Sequence, residues 1–373
     1  MNWIDEAWEK AIKKVTLSGN RIKDGIPYKV VDRKYNDLSD DPNWWTNGFW
    51  AGLLWLMYKA TGDGTFRSYA EGVEKKLDTA LMNYDRVDHD AGFLWLLSAV
   101  TNFRLTGNEK SRRTGLIAAS IMASRYNLKG GFIRAWNDYQ GMNRAGWAII
   151  DCMMNLPLLY WASEMSNDPR FKFIAQSHAD TTMREFIRPD GSVKHIVCFD
   201  PETGEVKDWL GGQGYDRDSS WSRGTAWALY GFTLSHQYTG EQRYLDTAKK
   251  VANFFIASLP DDYVPYADFK APRDLNIHRD TSAGACAASG LLLLSSLVSE
   301  NERDIYKNAA LKILKSLYEN YGSWDEDYEA LLKHGCVAFH SKDEADVSLI
   351  YADYFLMEAL AQLKGIRPLF SRY

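Results

Sequence analysis

The feature that most constrains this 373-residue chain is a short phrase that keeps returning. A polar turn with Gly or Asn and an acidic residue opens a helix-like run. It stands at Thr61-Gly62-Asp63, Thr106-Gly107-Asn108-Glu109, Ser166-Asn167-Asp168, Thr239-Gly240-Glu241 and Ser299-Glu300-Asn301-Glu302, with gaps of 45, 60, 73 and 60 residues. A similar phrase at unequal gaps is one supersecondary unit repeated with variable insertions. Each copy follows an apolar helical pattern and precedes an amphipathic one. It therefore reads as the C-cap of one helix and the N-cap of the next.

Between these marks the pattern predicts twelve helices, at 2–18, 45–60, 64–82, 91–106, 108–126, 147–165, 168–187, 221–238, 241–257, 281–298, 300–320 and 346–363. Two kinds alternate. One is amphipathic and charged, as in 241–257; the other is nearly apolar all round, as in 281–298. A helix apolar on every side has to be buried on every side. Six buried helices inside six amphipathic ones describe an all-α fold, an (α/α)6 barrel of six helical hairpins. No Pro-, Gly- or Ser-rich linker divides the chain, so 1–373 reads as one domain; two all-α domains are the alternative. The stretch 188–220 is strand- and turn-like and predicts a small β-hairpin inserted between helices seven and eight.

Composition removes several partners. Lys and Arg number 44 against 49 Asp and Glu, a net charge of −5, and no basic run of five occurs. Nothing here draws nucleic acid or an anionic membrane surface. No apolar run reaches membrane-spanning length, and the polar Met1–Glu6 start lacks the form of a signal peptide. Cys152, Cys198, Cys286 and Cys336 form neither a CxxC pair nor a zinc knuckle. They read as free thiols of a reducing compartment, so a cytoplasmic location is expected. Aromatic residues reach 14%, which fits a large core or a cleft faced with rings that suit sugars.

The topology gathers the chemistry. Long connections at 19–44, 127–146, 188–220, 258–280 and 321–345 all precede inner helices, so they cover one end of the barrel. Loops there carry the site, and the inner helices aim their positive ends at it, which favours an anionic ligand. Trp44 and Trp45 lead the first inner helix and Asp88-His89-Asp90 the second. Trp147 and Asp151 start the third, after Arg134, Trp136 and Arg144. Trp221, Arg223 and Trp227 start the fourth, His278-Arg279-Asp280 lead the fifth, and Asp346 and Asp353 lie on the sixth.

Asp151 sits in an almost wholly apolar run. Desolvation raises a carboxyl pKa, as a general acid near neutral pH requires; a structural, hydrogen-bonded Asp is the other reading. Asp90 reads equally as an N-cap or as a partner of Asp151, two carboxyls whose proximity separates an acid from a base. Asp88-His89-Asp90 also has the composition of a metal-ligand set, but no second cluster completes it. Arg223 and Trp227 share a helix face, either as a carboxylate clamp with an aromatic wall or as packing. His195 falls on the predicted hairpin and Gln213 in Gly211-Gly212-Gln213-Gly214, which lacks the features of a P-loop.

Four phrases carry a resemblance: Trp45-Thr-Asn-Gly-Phe-Trp50, Asp88-His-Asp-Ala-Gly-Phe-Leu94, Ile150-Asp-Cys-Met-Met-Asn-Leu-Pro-Leu-Leu159 and Ser220-Trp-Ser-Arg-Gly-Thr-Ala-Trp227. The chain resembles the unsaturated glucuronyl hydrolases, glycoside hydrolase family 88, from near its start to Tyr351-Ala-Asp-Tyr-Phe-Leu-Met-Glu-Ala-Leu360. The resemblance implies an (α/α)6-barrel catalytic domain. It also implies release of a 4,5-unsaturated uronic acid from the non-reducing end of lyase-generated glycosaminoglycan-type disaccharides or short oligosaccharides. The route is acid-catalysed hydration of the C4=C5 vinyl ether, which requires neither metal nor cofactor.

By the match, Asp151 corresponds to the general acid/base and Asp90 to a second essential carboxylate. Trp45, His89, Trp136, His195, Gln213, Arg223 and Trp227 match positions near the substrate. Some members read a sulfate with a Ser/Lys loop; here Ser341 and Lys342 stand in Cys336-Val-Ala-Phe-His-Ser-Lys-Asp343, with Ala338 in place of an upstream Ser. A monomer or homodimer is expected. The competing readings are an unsaturated rhamnogalacturonyl hydrolase of family 105, an inverting glycosidase and a non-catalytic sugar-binding barrel.

Overall fold

The computed structural model of the chain describes residues 2–273 and 277–372. The first six helices are α1 (Trp3–Ile22), α2 (Asn47–Thr61), α3 (Gly64–Ala80), α4 (91–106), α5 (Glu109–Ser124) and α6 (Cys152–Ser166). The next six are α7 (Pro169–Glu185), α8 (Ser222–Thr239), α9 (Gln242–Ala257), α10 (Thr281–Leu297), α11 (Glu300–Ser316) and α12 (Ile350–Leu363). Even-numbered helices form the inner ring and odd-numbered ones the outer. Each inner helix packs against the next and α12 packs back on α2, so the ring closes into the (α/α)6 barrel. Helix α4 widens into one π turn at Leu96–Val100. No helix among the described residues is long and apolar enough to cross a membrane.

At three of its five places the recurring phrase is one piece of capping chemistry, while the Ser299 copy has neither a left-handed C-cap before it nor a side-chain cap. The hydroxyls of Thr61, Thr106 and Thr239 donate to carbonyls one turn back, on Met57, Asn102 and Ser235. The same hydroxyls accept the N–H two residues on, from Asp63, Asn108 and Glu241. The residue between is glycine with φ of 71–74° each time, a left-handed C-cap that costs other residues energy. Asp63, Asn108 and Asp168 then cap the next helix through their side chains.

The far end of the barrel is plugged. After α12 the chain crosses the mouth and inserts Phe370 among Phe93, Tyr230, Tyr354 and Phe355. Arg104 donates to the Leu369 carbonyl and Tyr238 to that of Phe370. Leu369 N–H in turn donates to the buried Glu358 carboxyl.

The open end differs from expectation in its strands. The predicted hairpin exists as β6 (Ile196–Phe199) and β7 (Val206–Leu210), but it pairs antiparallel with β5 (Trp147–Ile149) in the order β5-β6-β7. Helix α6 therefore starts at Cys152, not 147. The apolar run 147–162 conceals this break, because β5 finds its partner only through β6. Two further hairpins, β1 (Pro27–Val31) with β2 (Lys34–Asp37) and β3 (Tyr126–Asn127) with β4 (Phe132–Ile133), fold the long connections onto the rim. Asp346 is not on the last helix: α12 begins at Ile350, and Asp346 pairs with His334 on the surface at 2.9 Å.

Candidate active site

A pocket of about 820 Å³ opens at the long-loop end, among the starts of the inner helices. Among the described residues, five of the six connections line it. They contribute Trp44 and Trp45, then Asp88 and Asp90, then Trp136 and Arg144, then His195 and Gln213, and finally Val337 and Glu344. Trp45 is braced by Tyr351 at 4.9 Å and Phe93 at 5.7 Å between ring centroids.

Asp90 stands at the N-cap position of α4, yet its side chain makes no cap hydrogen bond. Asn155, on α6, does that work: its Oδ1 accepts the Phe93 N–H at 2.7 Å. Its Nδ2 donates to Asp90 Oδ1 at 3.3 Å and to the Asp151 carbonyl at 3.2 Å. Gly92 permits this crossing, since a Cβ there would come within 2.5 Å of the Asn155 Cα. The Asp90 carboxyl is thus released from structural duty and held in the pocket. Burial, reinforced by the charges of Asp88 and Asp151, holds its pKa well above the usual carboxylate value.

His89 lies beneath Trp136, edge to face at 5.7 Å. Its Nδ1 is 3.0 Å from the Ala135 carbonyl and its Nε2 is 3.3 Å from Asp90 Oδ1. Burial lowers its pKa to about 3, so the ring is neutral. The carbonyl assigns the proton to Nδ1, and the Nε2 atom is buried with no hydrogen-bond partner among the described residues. Asp88, His89 and Asp90 bring possible ligand atoms within 4.8 Å of one another. Two of those groups are already engaged, however: Asp88 Oδ1 accepts the Asp90 N–H at 2.9 Å, and His89 Nδ1 donates to Ala135.

Asp151 likewise sits at the N-cap of α6 without capping it. Its Oδ1 is buried with no hydrogen-bond partner among the described residues. Desolvation pushes its pKa up to about 7, against the opposing pull of Arg223. His195 Nε2 is 3.8 Å from that oxygen. The His195 ring is neutral, burial lowering its pKa to about 3. Its Nδ1 faces both the Gly211 carbonyl (2.9 Å) and the Gln213 N–H (3.0 Å), so each tautomer satisfies one of the two.

The structure brings together Asp90, Asp151, His89, His195, Gln213, Trp45 and Trp136. Five of these line the pocket, while Asp151 and His89 stand just behind the lining, 3.8 Å from His195 and 3.3 Å from Asp90. The other four anticipated residues lie elsewhere. Arg223 is completely buried; it pairs with Asp280 at 2.9 Å and donates to the carbonyls of Cys336 and Val337. The expected clamp is spent on holding that loop. Its charge still acts on Asp151. Trp227 is completely buried too, packed on Phe93 at 5.3 Å, one aromatic layer behind Trp45. Ser341 accepts the Glu344 N–H and Lys342 is exposed, so Glu344, not the Ser/Lys pair, faces the pocket. Sequence reasoning missed Asn155, although a lone amide four residues after Asp151 in an apolar run is a visible signal.

Comparison with known proteins adds an independent line. The family model described as Glycosyl Hydrolase Family 88 matches residues 19–358. The unsaturated glucuronyl hydrolase of Bacillus sp. strain GL1 is 35% identical over 365 residues, covering 96% of this chain and 97% of the relative. The unsaturated chondroitin disaccharide hydrolase of Streptococcus pneumoniae is 34% identical over 96% of this chain and 91% of its own length. A crystal structure of the Bacillus sp. GL1 enzyme superposes with a TM-score of 0.93 at 34% identity, over 99% of both chains.

Proposed function

This chain belongs to glycosyl hydrolase family 88, and from that premise we propose that it hydrates the C4=C5 vinyl ether of a 4,5-unsaturated uronic acid at the non-reducing end of a lyase-generated, glycosaminoglycan-type disaccharide. The observation that carries this reading is the pair of carboxyls at inner-helix starts, Asp90 and Asp151. Neither caps its helix, and Asn155 binds to both residues.

In this reading Asp151 gives its proton to C4. With a pKa near 7 it is half protonated at neutral pH while still able to take a proton back. Positive charge develops at C5, shared with the ring oxygen. Water adds at C5 and returns a proton to Asp151. The hemiketal opens and the second sugar leaves. Asp90, 3.3 Å from the neutral His89, positions the sugar and the water. Trp45 and Trp136 supply ring faces, and Gln213 and His195 supply polar contacts. Arg223, Trp227, Ser341 and Lys342 support the site from behind or from the rim. We place the protein in the cytoplasm, as its four unpaired thiols suit a reducing compartment, and working as a monomer or homodimer.

The test mixes the protein with an unsulfated unsaturated chondroitin disaccharide and follows the ultraviolet absorbance of the conjugated double bond. Absorbance should fall as the amino sugar is released. Asp151→Asn should abolish the loss while leaving disaccharide binding largely intact. Wild-type protein that leaves this substrate untouched but consumes a rhamnogalacturonan-derived disaccharide would overturn the substrate assignment.

A further inference from the structure

Two cations line the pocket, Arg86 and Arg144. Arg86 is committed: it holds both oxygens of Asp41, at 2.8 and 3.0 Å. Arg144 is not. Its guanidinium stands among three aromatic rings, 5.6 Å from the centroid of Trp136, 5.6 Å from Tyr139 and 5.4 Å from Trp147. Its Nε is buried and has no hydrogen-bond partner among the described residues. The neighbouring carboxylate of Asp138 is taken up by the Arg144 main-chain N–H at 2.8 Å and by Arg134 at 2.6 Å. Aromatic faces orient a guanidinium and strip water from it without neutralising it. A partly desolvated, unpaired charge on a pocket wall is poised for an anion.

Its position says which anion. Trp136 touches Arg144 on one side and His89, the neighbour of Asp90, on the other. Arg144 is therefore set two rings, Trp136 and His89, away from Asp90, where the sugar next to the unsaturated uronate would lie. Around Glu344 the described residues offer no free cation: Lys29 is paired with Glu344 at 2.5 Å, and Lys342 lies outside the lining. We propose that Arg144 reads a sulfate on the leaving sugar, making the 134–146 connection the specificity wall of this pocket. This rests on the vinyl-ether hydration reading above.

The experiment compares kcat/KM on unsulfated, 4-sulfated and 6-sulfated unsaturated chondroitin disaccharides for wild type, Arg144→Gln and Arg144→Lys. The sulfated-to-unsulfated ratio should fall about ten- to a hundredfold in Arg144→Gln for at least one sulfated isomer, the size of a charge-assisted hydrogen bond, with the loss in KM. Arg144→Lys, which keeps the charge, should retain more of the ratio. Added salt should lower the wild-type ratio more than that of Arg144→Gln. An unchanged ratio, an equal loss on all three substrates, or a wild type that consumes the unsulfated disaccharide and neither sulfated one overturns the proposal while leaving the hydration reading intact. Failure of the wild type on all three removes both.

Discussion

At the residue scale the site depends on carboxyls denied their ordinary uses. Asp90 and Asp151 occupy positions where aspartate normally caps a helix, and both are excused from capping. The sign of the pH dependence follows. Asp151 holds its proton up to about pH 7 in the folded chain, against about 3.8 when unfolded. Its acid form is lost as pH rises through 7, so kcat should decline above that value; a profile flat to pH 9 would remove Asp151 as proton donor. Between the unfolded value of 3.8 and the folded value of about 7 the folded state keeps a proton that the unfolded state has released. Raising the pH therefore draws stability out of the fold. Asp151→Asn should accordingly melt at a higher temperature than wild type at pH 8, with the gap narrowing at pH 4. Asn155→Ala unties the Asp90 carboxyl and the Asp151 carbonyl and uncaps α4. It should cost about 1–2 kcal/mol in urea unfolding, and a larger fractional loss in kcat than in KM.

At the element scale the repeat is explained by its caps. Four links of the chain end one helix in the left-handed region and open the next on an acidic or amide side chain, three of which close a side-chain cap. Glu241 occupies the same place without one, its carboxylate turned to Arg243 instead. Asn108 accepts from both Lys110 and Ser111, so Asn108→Ala should lose about 1 kcal/mol. Glu241→Ala should stay within about 0.5 kcal/mol. Equal losses in denaturant titrations of the two variants would contradict this account. The same logic limits the strands: β5 is three residues long and exists because β6 lies beside it.

For the whole molecule, closure at one end makes opening at the other possible. Phe370 fills the barrel axis from below, in a stack with Phe355 at 6.1 Å, and the buried Glu358 gathers Tyr230, Tyr354, Ser289 and the Leu369 N–H around it. Removing the ring leaves a cavity where inner helices converge. Phe370→Ala should cost about 3–5 kcal/mol, measured by thermal and urea unfolding. Because the ring is continuous, unfolding should remain a single transition seen alike by circular dichroism and tryptophan fluorescence.

Much of this was written locally. The alternation of all-apolar and amphipathic helices, the caps between them and the placement of long connections at one end determined the barrel and the rim that carries Asp90, Asp151, His89 and Trp136. Each of those signals lies within one turn or one helix of sequence, where hydrogen-bond partners are near neighbours. What only the tertiary structure decided is which polar groups remain free once distant segments meet. Arg223 and Arg144 look alike in sequence, each an arginine beside tryptophans at the rim. Asp280, 57 residues further on, and the carbonyls of 336–337 claim the first, while three rings cradle the second and leave its charge unpaired. Burial and pairing are properties of the packed chain, and a carboxyl's pKa follows them rather than its neighbours in sequence.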